Sequence, residues 1–100
     1  MISTIKNDFL DFDVYPSGAV FTEFKKKFGE SLDVKLQNDP TNMEAFAFAI
    51  YIGHKSVCKI KNVEEKVSFE DILYKMTMTD LAEALPKVLP SSDDSQKKMK

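Results

Sequence analysis

The apolar residues of this chain recur with two different periods, and the change between them predicts where strands give way to helices. From Leu10 to Tyr15 apolar and acidic residues alternate, which is the two-residue period of a half-buried strand. The segment from Ile2 to Lys6 also contains β-branched residues, and Asn7-Asp8 supplies a turn between the two segments. We therefore expect a short N-terminal β-hairpin that packs on the rest of the chain, because an isolated hairpin is only marginally stable.

After Pro16 the apolar spacing becomes three and four residues, which predicts a first helix capped by Ser17. Its apolar positions are Val20, Phe21, Phe24 and Phe28. The lysines at 25–27, followed by Gly29, mark its end, since cations complement the C-terminal dipole and glycine takes the left-handed closing conformation. We interpret the lysine run as a solvated helix end and not as a docking site for anions.

A connector at 30–38 follows the first helix. Its inward-facing positions are expected to be Leu32, Val34 and Leu36. Asp39 before Pro40 then predicts the start of a central helix, because aspartate caps free N–H groups and proline at the first helical position loses no hydrogen bond. This helix is expected to end near Gly53 or Val57.

The central helix is apolar on two sides. One stripe consists of Met43, Phe46, Ala47, Ile50 and Val57, and the second of Ala45, Phe48, Ala49 and Ile52. A helix that is apolar all round is usually buried, yet a small domain buries only part of its surface. Either other elements wrap around both stripes, or one stripe contacts another protein.

Two further helices are expected near the C-terminus. Ser68 with Asp71 matches a capping box, and Thr77 with Asp80 starts a second helix in the same way. Pro86 predicts either a kink or an end near residue 85, because an internal proline removes a backbone hydrogen bond.

The fold class expected from these patterns is mainly α, with about four helices and a short N-terminal β-hairpin. Residues 1–89 are predicted to form a single domain. Residues 90–100 have no apolar period and are predicted to be a flexible tail.

Composition and charge favour a cytoplasmic protein. The net charge of −2 gives no basic surface for nucleic acid, and a single cysteine excludes an internal disulfide. No segment resembles a signal peptide or reaches the ~20 apolar residues that cross a bilayer.

Residues for catalysis or metal binding are scarce. His54 and Cys58 lie four residues apart, but a metal site needs three or four converging ligands. We expect His54 to be a partly exposed residue near a helix end and Cys58 to be a small core residue. No catalytic, cofactor or metal site is predicted, and we expect a protein that is not an enzyme.

Several local patterns resemble the tail assembly chaperones of long-tailed bacteriophages. The resemblance covers about residues 11–89. Its motifs are Phe24-Lys25-Lys26-Lys27-Phe28-Gly29, Asp39-Pro40, Ala49-Ile50-Tyr51-Ile52-Gly53-His54, Val67-Ser68-Phe69-Glu70-Asp71-Ile72 and Thr79-Asp80-Leu81-Ala82-Glu83-Ala84-Leu85. These motifs combine apolar and capping residues and contain no catalytic signature.

The resemblance implies a phage or prophage protein that binds the hydrophobic tape-measure protein in the bacterial cytoplasm and assists assembly of the tail tube protein. It also implies self-association and requires no cofactor. The residues expected at a partner or self-association surface are Phe46, Phe48, Ile50, Tyr51 and Ile52. Replacing Phe48 and Ile52 by serine is then expected to leave the fold largely intact while weakening association.

Two alternatives use the same apolar surface. One is a small adaptor or regulatory protein that binds a single folded partner. The other is a structural tail component that stays in the virion.

Overall fold

The structure, a computed structural model, describes residues 1–89 and contains a two-stranded antiparallel hairpin and five helices in that range. The strands are β1 (Ser3–Lys6) and β2 (Asp11–Val14). The helices are α1 (Ala19–Phe28), α2 (Leu32–Asn38), α3 (Met43–Lys61), α4 (Phe69–Lys75) and α5 (Met78–Val88). The expected mainly helical fold with an N-terminal hairpin is therefore confirmed. The predicted tail at 90–100 lies outside the described residues.

The hairpin forms where the two-residue period predicted it. Ser3 pairs with Val14 and Lys6 with Asp11. Phe12 and Val14 point inward and are buried, while Asp11 is exposed. At the end of β2, the Tyr15 N–H donates to the carbonyl of Gly53 at 2.9 Å, so the hairpin is attached to α3 through the backbone.

The start of α1 differs from the prediction, and its end agrees with it. Gly18 occupies the N-cap position and no side chain caps the helix. The Ser17 hydroxyl instead lies 2.6 Å from Ser56 Oγ; since Ser56 donates to the Ile52 carbonyl, Ser17 is the donor of this pair. Gly29 closes the helix in the left-handed conformation (φ 80°), as expected.

The predicted connector at 30–38 is wrong, because most of it forms α2. The Ser31 side chain accepts a hydrogen bond from the Val34 N–H and caps the helix. Leu32 is buried and Leu36 is half-buried, which places them on one face at a spacing of four residues. Val34 lies between them in sequence and is exposed.

Helix α3 starts later and ends later than predicted. Asn42 caps it by accepting from the Ala45 N–H at 3.0 Å, whereas Asp39 ends α2 and accepts from the Asn42 side chain. The helix continues past Val57 to Lys61, where Asn62 takes the left-handed conformation (φ 59°). A continuous α3 gives the other elements a long axis on which to pack.

Both predicted capping boxes form. Ser68 and Asp71 exchange hydrogen bonds at the start of α4, and Thr77 and Asp80 do so at the start of α5. Helix α5 continues through Pro86 to its last residue at 88, so an end near residue 85 is wrong. Pro86 is exposed and removes only one N–H, while buried neighbours in the last turn hold the helix against α3.

The other elements wrap around α3, which contacts β2, α1, α2, α4 and α5. Gly53 marks the closest approach: a Cβ at this position would lie 2.5 Å from Val88 Cγ1 and 3.4 Å from Val14 Cβ. The absence of a side chain therefore lets α5 and β2 pack against the middle of α3. None of the helices within residues 1–89 combines the length and apolar character needed to span a membrane.

Candidate protein-interaction surface

The aromatic cluster around Phe48 closes one side of the molecule. Four rings from α1, α3 and α4 form this cluster: Phe24, Phe28, Phe48 and Phe69. The ring centres of the stacked Phe24 and Phe28 lie 4.4 Å apart, and Phe48 packs edge-to-face with Phe28 and Phe69 at centre-to-centre distances of 5.8 and 6.1 Å. Such edge-to-face and stacked pairs stabilise beyond the area that they bury.

Lys27 covers this aromatic cluster from the solvent side. Its Nζ lies 5.5 Å from the centre of the Phe48 ring and 5.8 Å from that of Phe69. A cation over aromatic faces is attracted by their quadrupoles. Of the three lysines at 25–27, Lys27 therefore packs against the aromatic cluster of the domain.

The structure places the predicted contact residues mostly in the interior. Phe46, Ile50 and Ile52 are buried, with Ile52 only 4% exposed. Phe48 and Tyr51 are half-buried and pack against the core. The surface proposed from the sequence is therefore covered by the chain's own elements, because α1, α4 and α5 pack against the helix that carries it.

Tyr51 lies at the edge of the covered region. Its hydroxyl donates to Glu65 Oε1 at 2.7 Å and links α3 to the loop that follows it. Burial raises the pKa of Tyr51 to about 12, and the Glu65 carboxylate contributes to the rise. The neutral phenol is thus the form that this position favours.

His54 is buried in the middle of α3, so the expectation of a partly exposed residue near a helix end is wrong. Its Nδ1 lies 2.7 Å from the Asp13 carbonyl, and the Lys66 N–H donates to its Nε2 at 2.8 Å. The carbonyl can only accept and the N–H can only donate, which assigns a neutral ring protonated at Nδ1. His54 therefore ties β2 and the loop before α4 to α3.

Cys58 is buried beside this histidine, as expected for a small core residue. Its Sγ lies 3.5 Å from His54 Nε2, but that nitrogen already accepts from the Lys66 N–H. Burial raises the pKa of the thiol, and the charge on Glu65 raises it further. Both features oppose formation of a reactive thiolate.

Metal ligands do not converge here. Within residues 1–89, no group of three His, Cys, Asp or Glu side chains lies close enough to hold an ion. Within residues 1–89, both ring nitrogens of His54 are occupied by hydrogen bonds to the backbone, one to the Asp13 carbonyl and one from the Lys66 N–H.

An open cleft lies between α1 and the start of α2, and we call it the α1–α2 cleft. It has a volume of about 470 Å³. Its lining residues are Phe21, Thr22, Lys25, Lys26, Ser31, Leu32 and Asp33. Leu32 is buried, while Phe21 is 40% exposed; Val34 of α2, which does not line the cleft, is 42% exposed. Clefts of 300–1,000 Å³ with an apolar lining are typical of binding sites.

Two other aromatic side chains project into solvent near the hairpin turn. Phe9 is 74% exposed and Tyr74 is 81% exposed. The turn that carries Phe9 is fixed, because the Asn7 side chain donates to the Lys75 carbonyl at 2.9 Å and to Asp80 Oδ2 at 3.1 Å. Phe9 and Tyr74 provide a comparison with Phe21, because neither of them lines any of the five clefts found within residues 1–89.

Sequence reasoning missed the α1–α2 cleft because it treated 30–38 as a connector. Ser31 followed by leucines at 32 and 36 is a helix signal, with a capping residue and a spacing of four. Assigning α2 would still have left its position relative to α1 open, because that position depends on how both helices pack on α3.

Comparison of the chain with models of protein families, with curated proteins and with solved structures gives no match.

Proposed function

We propose that this chain is a non-enzymatic, protein-binding assembly chaperone of the phage tail, which binds the tape-measure protein in the bacterial cytoplasm before the tube protein assembles around it. The observation that supports this proposal is the open α1–α2 cleft. Leu32 forms its buried apolar part and Phe21 remains accessible at its edge. Accessible apolar side chains beside a cleft are typical of protein-contact sites.

The proposed contact surface lies at the α1–α2 cleft and not on α3. A chaperone that holds an apolar ligand must keep apolar groups accessible while its own core stays closed. Phe46, Ile50 and Ile52 are buried in the core, whereas Phe21 is 40% exposed at the edge of the cleft and would make the contact. Phe48 and Tyr51, which are half-buried, would be reached by a ligand only at the margin of the covered region.

The test is co-expression of the full chain with the tape-measure protein of the phage or prophage genome that encodes it. We expect the chain to keep the tape-measure protein in the soluble fraction and to co-purify with it. Phe21→Ser should reduce the recovered complex severalfold, whereas Phe9→Ser should not. The two variants are matched because each removes one exposed phenylalanine.

Three results would count against this function or against the cleft as its contact site. Absence of any complex with the wild-type chain would reject the tape-measure protein as the partner. Equal losses in the two variants would place the contact outside the α1–α2 cleft. Recovery of the chain in purified virions would identify a structural tail component instead of a chaperone.

A further inference from the structure

Helix α1 presents a mixed apolar and basic face to the α1–α2 cleft. Phe21 and Lys25 are four residues apart, as are Thr22 and Lys26, so the four side chains form two adjacent rows on one side of the helix. Phe24, three residues after Phe21, is fully buried and packs near the Phe48 ring of α3. Phe21 therefore lies between the side of α1 that packs on α3 and the exposed Lys25 and Lys26 that border the cleft.

The charge on this face is locally positive although the chain as a whole is negative. Helix α1 has three lysines and one glutamate, a net charge of +2, whereas the chain carries −2. Lys25 forms no ion pair within residues 1–89. Lys26 pairs with Glu23 at 3.6 Å, but the two side chains are 70% and 45% exposed, and such solvent-exposed pairs are weak.

The opposite side of the cleft carries Asp33. The cleft thus has two ammonium groups on the α1 side and one carboxylate on the α2 side. An acidic group of a ligand would be attracted to Lys25 and Lys26 and repelled by Asp33. This asymmetry favours one orientation of a ligand across the cleft.

We propose that the α1–α2 cleft binds an amphipathic peptide segment whose apolar side chains lie against Phe21 and whose carboxylates face Lys25 and Lys26. The inference rests on the proposed function as a protein-binding chaperone and specifies the chemistry of the segment it recognises. Apolar contacts supply most of the affinity in such a groove, and the charges select the partner and its orientation.

The experiment is a selection of random 15-residue displayed peptides (about four helical turns) on the purified full-length chain. Sequences that combine Leu, Ile or Phe with Asp or Glu should be enriched. The double variant Lys25→Glu/Lys26→Glu should bind these peptides roughly tenfold more weakly, equivalent to ~1.4 kcal/mol. The matched control is Lys55→Glu/Lys59→Glu, which makes the same change in net charge on α3 and should retain binding.

Enriched peptides without carboxylates would overturn the inference, as would equal binding to the two double variants. Sedimentation of the chain alone provides a further test: an oligomer that only Lys25→Glu/Lys26→Glu dissociates would identify a second copy as the occupant and reject the acidic peptide. The selection uses no tape-measure protein. Acidic apolar peptides can therefore be found even if the tape-measure protein fails to bind, and the two proposals fail separately.

Discussion

Helix α1 contributes to two regions of opposite character, the closed aromatic cluster and the open α1–α2 cleft. The ring centres of Phe24 and Phe28 lie 4.4 Å apart inside the first region, where Lys27 lies over the rings of Phe48 and Phe69. Phe21 borders the second region and stays 40% exposed, beside Lys25. Because α3 and α4 supply partner rings only to the closed side, the same residue type serves packing at one position and remains accessible at another.

The strongest test of this contrast is the double variant Phe48→Ser/Ile52→Ser. The sequence predicted that this variant would leave the fold largely intact. The structure predicts the opposite, because Ile52 is 4% exposed and Phe48 lies within the closed aromatic cluster. Truncating a buried isoleucine alone costs about 2–5 kcal/mol, and domains of this size have total stabilities of about 5–15 kcal/mol. We expect largely unfolded protein at room temperature, measured by far-ultraviolet circular dichroism and urea titration.

The matched control for that variant is Phe21→Ser/Val34→Ser, which removes two apolar side chains from the exposed region. Each exposed substitution should change the free energy of unfolding by roughly 0.5 kcal/mol or less. A folded Phe48→Ser/Ile52→Ser protein would show that the closed region tolerates the loss of these two apolar side chains. Unfolding of the control would show that Phe21 and Val34 serve the core.

A second test concerns the tightness of the closed interior at Gly53. Gly53→Ala places a methyl group 2.5 Å from Val88 Cγ1, so overpacking is expected to cost about 1–3 kcal/mol despite the better helix propensity of alanine. Thermal unfolding measures the loss.

Val88→Ala provides the control, because it removes Cγ1, the atom 2.5 Å from the new methyl group, and leaves only the Cβ at 2.9 Å. The double variant Gly53→Ala/Val88→Ala should be more stable than the sum of the two single changes predicts. Strict additivity would mean that α5 does not limit the space at Gly53.

The smallest expected effect lies at the boundary of the closed region, where Tyr51 donates to Glu65. The folded state raises the pKa of Tyr51 to about 12 from an ordinary value of 10, so the unfolded state loses its proton first. The stabilisation is present below pH 10 and is lost as the pH rises to about 12. Stability measured by urea titration should therefore fall less steeply over this range in Tyr51→Phe than in the wild type.

Direct titration of tyrosinate absorbance provides the control for this pH effect. The chain has three tyrosines, and one of them should ionise near pH 12 in the wild type and be missing from the curve of Tyr51→Phe. Identical curves after allowing for one fewer tyrosine of ordinary pKa would contradict the buried hydrogen bond.

Much of the local structure was predictable because it depends on neighbouring residues. The alternation at 10–15 predicted β2, and the capping boxes at Ser68 and Thr77 formed as expected because each is made within four residues. Gly29 closed α1 for the same local reason. Errors occurred at Asp39 and Ser17, where another nearby residue took the capping position.

The candidate site was less predictable because exposure is not a local property. Phe46 and Phe48 both read as candidates for a contact, and only the placement of α1, α4 and α5 around α3 decided that one is buried and the other half-buried. Similarly, His54 is buried and connects three segments, because a carbonyl of β2 and an N–H of the loop before α4 both form hydrogen bonds with its ring nitrogens.

The sequence by itself determined the hairpin, the main helices, their polar ends and the excess of apolar residues on the central helix, since spacing and capping act over a few residues. Tertiary structure alone decided where that excess is covered. Wrapping five elements around α3 buries most of both stripes and leaves Phe48 half-buried. Phe21 stays 40% exposed at the edge of the α1–α2 cleft, because no element within residues 1–89 covers it. Burial depends on the arrangement of distant segments, which local patterns do not specify.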